Sequence, residues 1–419
     1  MRLRPACAER WNLAIAAASL LPFSLVLAGL SARAAWAQET SAGNATESSP
    51  EGFADAAELA PRFGLRPTPA TRLDPATGEE IAITSYVASS DGAEMVFVPG
   101  GPFPMGSEYA EIWDGSLVAG SFARESSSEA YVASEMPKHE VVLSPFFIDR
   151  CEVSNAQYER FLDWWEKSGR SREFSHPDEP LDFDHTPWQW KNGSFFDADR
   201  PVVGVSWLSA YKYARWAGKR LPTEAEWEKA ARGRDSRRFP WGNDYDPRVC
   251  NTSDSCNLRT LPVRSLPGGQ SPFGCYHMCG NAWEYVLDWH NRDFYRKSPA
   301  RDPLFAPTSV EKMDKVVRGG CWNKYTHLHM GRVTARASQH LWQSYNLHYT
   351  VDPRDYLVTG FRCVVSPVDQ VPPPQEPESW KRVFRNHPGA RHADGVTVVP
   401  DNPVYKKAET PDPKEPEDG

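Results

Sequence analysis

Apolar residues recur in two different periods along the middle of the chain, and these periods predict its strands and helices. Short apolar runs bounded by Gly and Pro, typical of strands, occupy Glu94 to Val98 and Val141 to Ile148. After Ser154, a helix N-cap, apolar residues recur at spacings of three and four, which predicts a helix with one buried face. The residues of that face are Tyr158, Phe161, Leu162 and Trp165.

Capping signals predict two further helices. The sequence from Thr223 to Glu226 forms a capping box, and the helix that it opens ends at Gly233. A shorter helix follows Ser206. Its core-facing residues are Trp207, Tyr211 and Ala214. The other segments are rich in Gly, Pro, Trp and Asn and have no sustained period, which predicts many irregular loops.

The N-terminus has the pattern of a secretory signal. Arginines precede an apolar run over about residues 11–30, and Ala35-Trp36-Ala37 forms a small-residue cleavage site before Gln38. The run is long enough for a retained membrane anchor, the alternative interpretation, but Ser31, Arg33 and the cleavage site favour removal. We therefore predict export to the periplasm or the cell exterior, with no stable membrane span after cleavage.

Composition divides the rest of the chain into three parts. Residues 38–91 are predicted to be a flexible leader and residues 92–366 a single folded domain. Residues 367–419 contain 11 of the 37 prolines and many charges, which predicts a disordered acidic tail. The net charge of −8 and the absence of a Lys/Arg cluster argue against a nucleic-acid partner.

Seven cysteines follow the signal, and an oxidising compartment would pair most of them. The odd number leaves at least one unpaired within the chain. Four of them lie close together, and we predict two local bridges among Cys250, Cys256, Cys275 and Cys279. The alternative for Cys275-Tyr276-His277-Met278-Cys279 is a zinc site, since thiolate and imidazole are the ligands of zinc.

Several motifs occur in a fixed order between residues 92 and 366. They are Met95-Val96-Phe97-Val98-Pro99-Gly100-Gly101, Arg220-Leu221-Pro222-Thr223-Glu224-Ala225-Glu226-Trp227, Gly280-Asn281-Ala282-Trp283-Glu284, Arg318-Gly319-Gly320 and Gly360-Phe361-Arg362-Cys363. Together they resemble the formylglycine-generating enzyme family, also called the sulfatase-modifying factor family. The resemblance implies an α+β, loop-rich, single-domain fold related to C-type lectins. Members of that family oxidise a cysteine of their substrate.

The resemblance also implies a calcium site. Its ligands would be the backbone carbonyls of Gly280 and Ala282, the carboxylate of Glu284 and a side chain at position 277. Calcium prefers oxygen ligands, and the family has Asn or Asp where this chain has His277. An imidazole suits calcium poorly, so the predicted calcium site is degenerate.

The catalytic segment departs from the family pattern. Family members have cysteines at the fourth and ninth positions after Arg-Gly-Gly, and these thiolates hold copper(I). Here the fourth position is Lys324 and the ninth is His329, while Cys321 follows the second glycine directly. Cys363 also lacks the cysteine that the family pairs with it, and we predict Cys151 as its partner.

Two functions of different classes follow. The first is a non-catalytic binding or scaffolding module for a peptide, glycan or protein. Its binding groove would be lined by Trp322, Lys324, His327, Arg332 and Arg336.

The second is a divergent copper- or iron-dependent oxidase of a thiol substrate, with Cys321 and either His327 or His329 as catalytic ligands. Sulfatase maturation itself has the least support, because it would require one thiol to do the work of two.

Overall fold

Three long helices begin at the caps that the sequence predicts. The computed structural model describes residues 54–112, 133–181, 183–188, 190–191, 193–309, 314–323, 331–340, 358–373, 375, 390–391 and 397–398. The helices in these ranges are α1 (Ala56–Leu59), α2 (Tyr109–Ile112), α3 (Asn155–Lys167), α4 (Trp207–Trp216) and α5 (Glu224–Arg232). None of them is both long enough and apolar enough to cross a membrane.

The helix predictions are confirmed. Ser154 caps α3 through a capping box with Gln157, and the four predicted face residues of that helix are buried. Thr223 and Glu226 cap α5, which ends at Gly233. Helix α4 starts after Ser206 and is buried on more than the predicted face, since even Lys212 is covered.

The strands form two main sheets and two smaller two-stranded sheets. The strands are β1 (Leu65–Leu73), β2 (Glu80–Ala88), β3 (Glu94–Val98), β4 (Gly101–Met105), β5 (His139–Leu143), β6 (Phe146–Asp149), β7 (Trp283–Trp289), β8 (Asp314–Arg318), β9 (Arg336–His340), β10 (Thr359–Phe361), β11 (Val364–Val365), β12 (Ala390–Arg391) and β13 (Thr397–Val398). One sheet has the order β1-β2-β3-β6-β11 and the other β10-β7-β8-β9. Strands β4 and β5 pair separately, and so do β12 and β13. The mixed α+β class is therefore confirmed.

The strand predicted over Val141 to Ile148 is two strands in two different sheets. Strand β5 pairs with β4, whereas β6 pairs with β3. The chain turns at Ser144 and Pro145, where the Ser144 amide and hydroxyl both donate to Asp302. Proline cannot donate to a strand ladder, so the apolar run is divided at this point.

The flexible leader predicted for residues 38–91 is wrong for the part that the structure describes. Strands β1 and β2 pair antiparallel over nine residues, and β2 continues onto β3. Helix α1 packs over this end of the sheet, where Leu59, Leu65, Tyr86 and Phe147 share a buried cluster. The apolar residues of this segment are few but lie on the sheet side, which a search for apolar density misses.

Described residues beyond the boundary predicted at residue 366 still contact the folded domain. Val368 accepts a hydrogen bond from Arg220, and the amide of buried Gln375 donates to Asp178. The side-chain amide of Gln375 donates to the carbonyl of Pro307. These are polar contacts to backbone and carboxylate groups, so the Pro-rich composition gives no sign of them. The pairing of β12 with β13 also departs from the predicted disorder of the tail.

Helix α5 connects the main structural units and positions the site. It contacts β7 and β8, and it also contacts the paired strands β4 and β5. Its buried residues include the carboxylates of Glu224 and Glu228, each at most 1% exposed. Charges this deeply buried require partners, and β8 and the segment that follows it provide them.

Candidate functional site

The Arg318-Gly319-Gly320 motif is a turn at the end of β8 that is anchored by a buried guanidinium. Arg318 Nη2 donates to Glu228 at 2.6 Å and to the carbonyl of Val333 at 2.7 Å. Its Nη1 donates to Glu224 at 3.1 Å and to the carbonyl of Thr334 at 3.2 Å. The arginine of the motif therefore joins α5 to the segment after the turn, which is a structural role.

Arg332 and Arg336 do not line an open groove, in contrast to the expectation from sequence. Both are at most 2% exposed. Arg332 donates to both oxygens of Glu135 at 2.7 and 2.8 Å, and Arg336 donates to both oxygens of Glu224 at 2.6 and 2.8 Å. Buried glutamates hold these guanidinium groups inside the protein, because a buried guanidinium or carboxylate without its partner would reduce the free energy of unfolding.

Trp322 is likewise buried, and its ring lies 5.2 Å from that of Phe195. The prediction of Trp322 as a groove residue is therefore wrong, because the indole fills the core beside Cys321. The other predicted groove and catalytic positions, Lys324, His327 and His329, lie outside the described residues.

Cys321 is enclosed. Its side chain is 0% exposed and packs with Phe195, Val203 and Ala282. The thiol donates to the Asn323 carbonyl oxygen Oδ1, with an Sγ to Oδ1 distance of 3.4 Å. A thiol must reach solvent or a metal as the thiolate in order to react, so this environment disfavours chemistry at Cys321.

The Gly280-to-Glu284 loop lies directly against the Arg318-Gly319-Gly320 turn. The Gly280 amide donates to the Gly319 carbonyl at 2.8 Å, and the Asn281 amide donates to the Asn251 carbonyl at 2.7 Å. Gly280 has φ +84°, and a Cβ there would lie 2.4 Å from the Asn251 carbonyl oxygen. Only a residue without a Cβ permits these two backbones to approach so closely, which explains the glycine at position 280.

Glu284 of this loop already has strong partners. Arg362 Nε donates to Oε2 at 2.6 Å, Arg362 Nη2 donates to Oε1 at 2.7 Å, and Trp227 Nε1 donates to Oε2 at 2.8 Å. A calcium ion at this carboxylate would have to displace a bidentate guanidinium. While Glu284 is bound to Arg362, the residues do not fit a calcium ion. Calcium binding stays a prediction, and it would require calcium to compete with Arg362 for the Glu284 carboxylate.

His277, the fourth predicted calcium ligand, points to other groups. Its Nε2 lies 3.2 Å from both the Ser265 hydroxyl and the Pro262 carbonyl. Burial lowers the pKa of His277 to about 4. The imidazole is therefore neutral near pH 7, in a site built for a neutral ring.

Glu152 is a buried carboxylate beside the site, in the segment Asp149 to Asn155 that resembles the family's strand-to-helix entry and for which the sequence predicts only a structural role. Asn281 Nδ2 donates to its two oxygens at 3.1 and 2.9 Å. Burial, and then the nearby Glu284 carboxylate, raise the pKa of Glu152 well above its usual value. Only the tertiary contact with the Gly280-to-Glu284 loop reveals this residue, since Glu152 and Asn281 are far apart in the chain.

The predicted disulfides are not formed in this structure. Cys151, Cys250, Cys275, Cys279 and Cys363 are thiols, so neither the two local bridges nor a Cys151–Cys363 bridge is present. The Cys275 amide donates to the Ser271 hydroxyl at 3.2 Å, and the Cys250 thiol donates to the Asp246 carbonyl, with an Sγ to O distance of 3.5 Å. Cys256 is exposed and is not bridged to any of these five. Within the described ranges, no group of three or more His, Cys, Asp or Glu residues could hold a metal ion, which gives no support to a zinc site at residues 275–279.

Stability should depend on the His277 imidazole in acid. Its pKa is about 4 in the folded protein and near 6.5 when unfolded, so the unfolded state binds more protons between these values. Stability from this group is present above pH 6.5 and is lost as the pH falls toward 4. The His277→Gln variant lacks this titrating group, so only the wild type loses this contribution in acid. The free energy of unfolding of the wild type should therefore fall by about 3 kcal/mol relative to that of the variant between pH 7 and pH 4. Urea denaturation at each pH measures this, and parallel curves would contradict the assignment.

Comparison with known proteins identifies the fold that carries this site. Residues 83–366 match the family described as Sulfatase-modifying factor enzyme 1-like domain. The chain belongs to this family. A formylglycine-generating enzyme from Thermomonospora curvata is 34% identical over 317 residues, covering 65% of this chain and 94% of the relative. The enzyme of the same name from Streptomyces coelicolor is 34% identical over 288 residues, which cover 58% of this chain and 83% of that relative.

Other similar proteins carry the family domain in a different setting. The serine/threonine-protein kinase Pkn1 of Chlamydia trachomatis serovar L2 is 36% identical over 236 residues. That region is 55% of this chain, and the chain spans only 33% of the kinase. Among solved structures, PvdO from Pseudomonas aeruginosa is 23% identical with a TM-score of 0.47, covering 67% of this chain and 97% of PvdO.

Proposed function

We propose that this member of the sulfatase-modifying factor family is an exported, non-catalytic binding or scaffolding module. One observation carries the proposal. The two positions after Arg318-Gly319-Gly320 at which the family resemblance requires cysteines are Lys324 and His329. An ammonium and an imidazole cannot form the bis-thiolate that holds copper(I), because soft metals select sulfur ligands.

The environment of Cys321 supports the same proposal. This cysteine is the thiol nearest to Lys324 and His329 in sequence, yet it is fully buried and hydrogen-bonded to Asn323. The surrounding framework is held by buried ion pairs, since Arg318 pairs with Glu224 and Glu228, and Glu284 pairs with Arg362. A retained scaffold without its reactive groups fits a role in binding, because fold alone does not carry chemistry.

The relatives support a modular use of the domain. A similar region forms about a third of a protein named as a serine/threonine kinase, so the domain also occurs next to sequence of another kind. Relatives named formylglycine-generating enzyme are matched over most of their length. The N-terminal signal pattern supports export of this chain, and the partner that we propose is a peptide, glycan or protein.

Metal retention and oxygen-dependent modification of a peptide test the proposal. Wild type, Cys321→Ser and the matched control Cys275→Ser, which also removes a fully buried thiol, should all fail to retain copper(I) or iron through gel filtration. None should modify a cysteine-containing peptide in an oxygen-dependent way, as judged by mass spectrometry. Activity that is lost in Cys321→Ser and kept in Cys275→Ser would establish the metal-dependent oxidase instead.

The export component has its own measurement. The full chain is expressed in a Gram-negative host, and its N-terminal residue is determined in the periplasmic fraction. Cleavage as proposed gives Gln38 at the N-terminus. A chain that stays in the cytoplasm and begins at residue 1 or 2 would contradict export without bearing on the catalytic question.

A further inference from the structure

Two cysteines from distant loops lie next to each other behind the Arg318-Gly319-Gly320 turn. Asn251 and Gly280 form a parallel β-bridge, and the Asn281 amide donates to the Asn251 carbonyl at 2.7 Å. The residues that precede this pair are Cys250 and Cys279. Paired backbones run about 4.7–4.9 Å apart, within the range of Cα separations that a disulfide spans.

The side chains of these two cysteines meet in an apolar pocket. Cys250 is 1% exposed and Cys279 is 2% exposed, and both share a buried cluster with Phe239. Trp241 and Tyr245 pack against that cluster. The Cys250 thiol donates to the Asp246 carbonyl, with an Sγ to O distance of 3.5 Å, and the bridge between Asn251 and Gly280 brings Cys250 and Cys279 side by side in this pocket.

We propose that Cys250 and Cys279 close a structural disulfide in the mature protein. A thiolate of one cysteine attacks a sulfur of an external protein or small-molecule disulfide and expels one thiolate from it. The second cysteine then attacks the mixed disulfide and releases the other half of the oxidant. One S–S bond forms, two protons leave the cysteines, and two electrons reduce the external disulfide to two thiols.

Burial sets the order of events. Both thiols are covered in the folded protein, and burial raises the pKa of the Cys279 thiol well above its usual value. Few thiolates form there, so exchange in the native state is slow. The bond therefore forms while the loops assemble, and afterwards it resists reductants unless the protein is unfolded.

The bond would fix the framework of the former catalytic region. Gly280, next to Cys279, donates its amide to Gly319, and a Cβ at Gly331 would lie 2.9 Å from the Cys279 sulfur. The bridge thus lies where the loop before Asn251, the Gly280-to-Glu284 loop and the segment at Gly331 converge. It would hold this end of the site together without any metal.

The other buried thiols have different neighbours. Cys275 hydrogen-bonds to Ser271, and Cys363 lies beside the Asp149 carboxylate, which raises its pKa together with burial. Neither one faces the Cys250–Cys279 pocket. The structure therefore selects one pairing from the several that the cysteine-rich segment of residues 250–279 allows.

Peptide mapping tests the pairing directly. The full chain is refolded in a buffer of oxidised and reduced glutathione, alkylated under denaturing conditions and digested with trypsin without reduction. Trypsin releases Cys250 and Cys256 on peptide 249–259, and Cys275 and Cys279 on peptide 265–292. In the Cys256→Ser, Cys275→Ser double variant these peptides carry only Cys250 and Cys279, and we expect them to remain cross-linked.

The complementary double variant Cys250→Ala, Cys279→Ala should lose the bond and lower Tm by on the order of 10 °C, since a loop of about 30 residues is no longer closed. If this variant fails to fold, the wild-type map and the serine double variant still decide the question. Alkylation of Cys250 and Cys279 in refolded protein, or a cross-link that disappears in the serine variant, would overturn the proposal. Protection of both thiols by bound copper or zinc would overturn it as well.

This inference rests on the proposed function only for the oxidising compartment in which the bond would form in the cell. Refolding in glutathione supplies the oxidant in the test tube, so its result does not depend on export. A bond that forms in vitro in a chain that stays in the cytoplasm would contradict export and support the pairing. Absence of the bond in exported, refolded protein would contradict the pairing and support export.

Discussion

Replacement of Glu224 by Gln should reduce the free energy of unfolding by about 3–5 kcal/mol, because one buried partner of two arginines loses its charge. The Glu224 carboxylate is 1% exposed, accepts from Arg336 at 2.6 and 2.8 Å, and accepts from Arg318 at 3.1 Å. A glutamine would place an NH₂ group against guanidinium donors. Urea denaturation followed by tryptophan fluorescence measures the loss.

The pH dependence of the Glu224→Gln effect has a defined sign. Burial alone would raise the pKa of Glu224, but the Arg336 and Arg318 charges hold it below its usual value of 4.5. Its contribution is therefore present above pH 4.5 and is lost as the pH falls through the lower folded-state pKa. The difference between wild type and variant should shrink below pH 4.5.

The matched control is Glu58→Gln, which removes a carboxylate from the exposed ion pair with Arg62. Both of these side chains are more than half exposed, so the change should stay below about 1 kcal/mol. Equal effects of Glu224→Gln and Glu58→Gln would show that the buried cluster of Glu224, Arg318 and Arg336 does not hold the two segments together.

Replacement of Gly280 by Ala should cost more than about 4 kcal/mol, which places it among exceptional single substitutions. The new Cβ would lie 2.4 Å from the Asn251 carbonyl oxygen and 2.6 Å from its carbon. These are backbone atoms held by the hydrogen bond from Asn281, so they cannot rotate away. Thermal and urea denaturation of the variant measure the loss, and failure to accumulate as folded protein is the same result in stronger form.

Gly218→Ala separates this clash from simple backbone strain. Gly218 has φ +68°, comparable to the +84° of Gly280, but no heavy atom lies within 4 Å of the position that a Cβ would take there. The cost at Gly218 should be about 1–2 kcal/mol, the value for an L-residue in the left-handed region. Similar losses at the two positions would remove close backbone approach as the reason for a glycine at 280.

The buried ion pairs join different elements of the fold around the site. Arg318, Arg336 and Arg362 each bind a glutamate on another element of the fold. None of these contacts uses a group at positions 324 or 329. Under the proposed function, a change of residue type at positions 324 and 329 would therefore leave these three ion pairs in place.

The capped helices and strand β3 could be predicted from sequence because their signals are local. Ser154, Thr223 and Gly233 lie within one turn of the helix ends that they determine. The strands of residues 65–88 could not be predicted in this way, because they have few apolar residues, and these become a buried face only where β2 joins β3 and α1 packs on the sheet. The break at Ser144-Pro145 does have a local signal, because proline cannot donate to a strand ladder, but the different sheets that β5 and β6 join depend on strands elsewhere in the chain.

The sequence by itself determined the family, through motifs in a fixed order, and it determined that Lys324 and His329 stand at the two positions where the resemblance implies cysteines. Only the tertiary structure decided that Arg332 and Arg336 are buried ion-pair partners and that Glu284 binds Arg362. It also brought Cys250 next to Cys279. The physical reason is that burial and pairing are properties of groups that meet across the fold, whereas a local pattern records only neighbours along the chain.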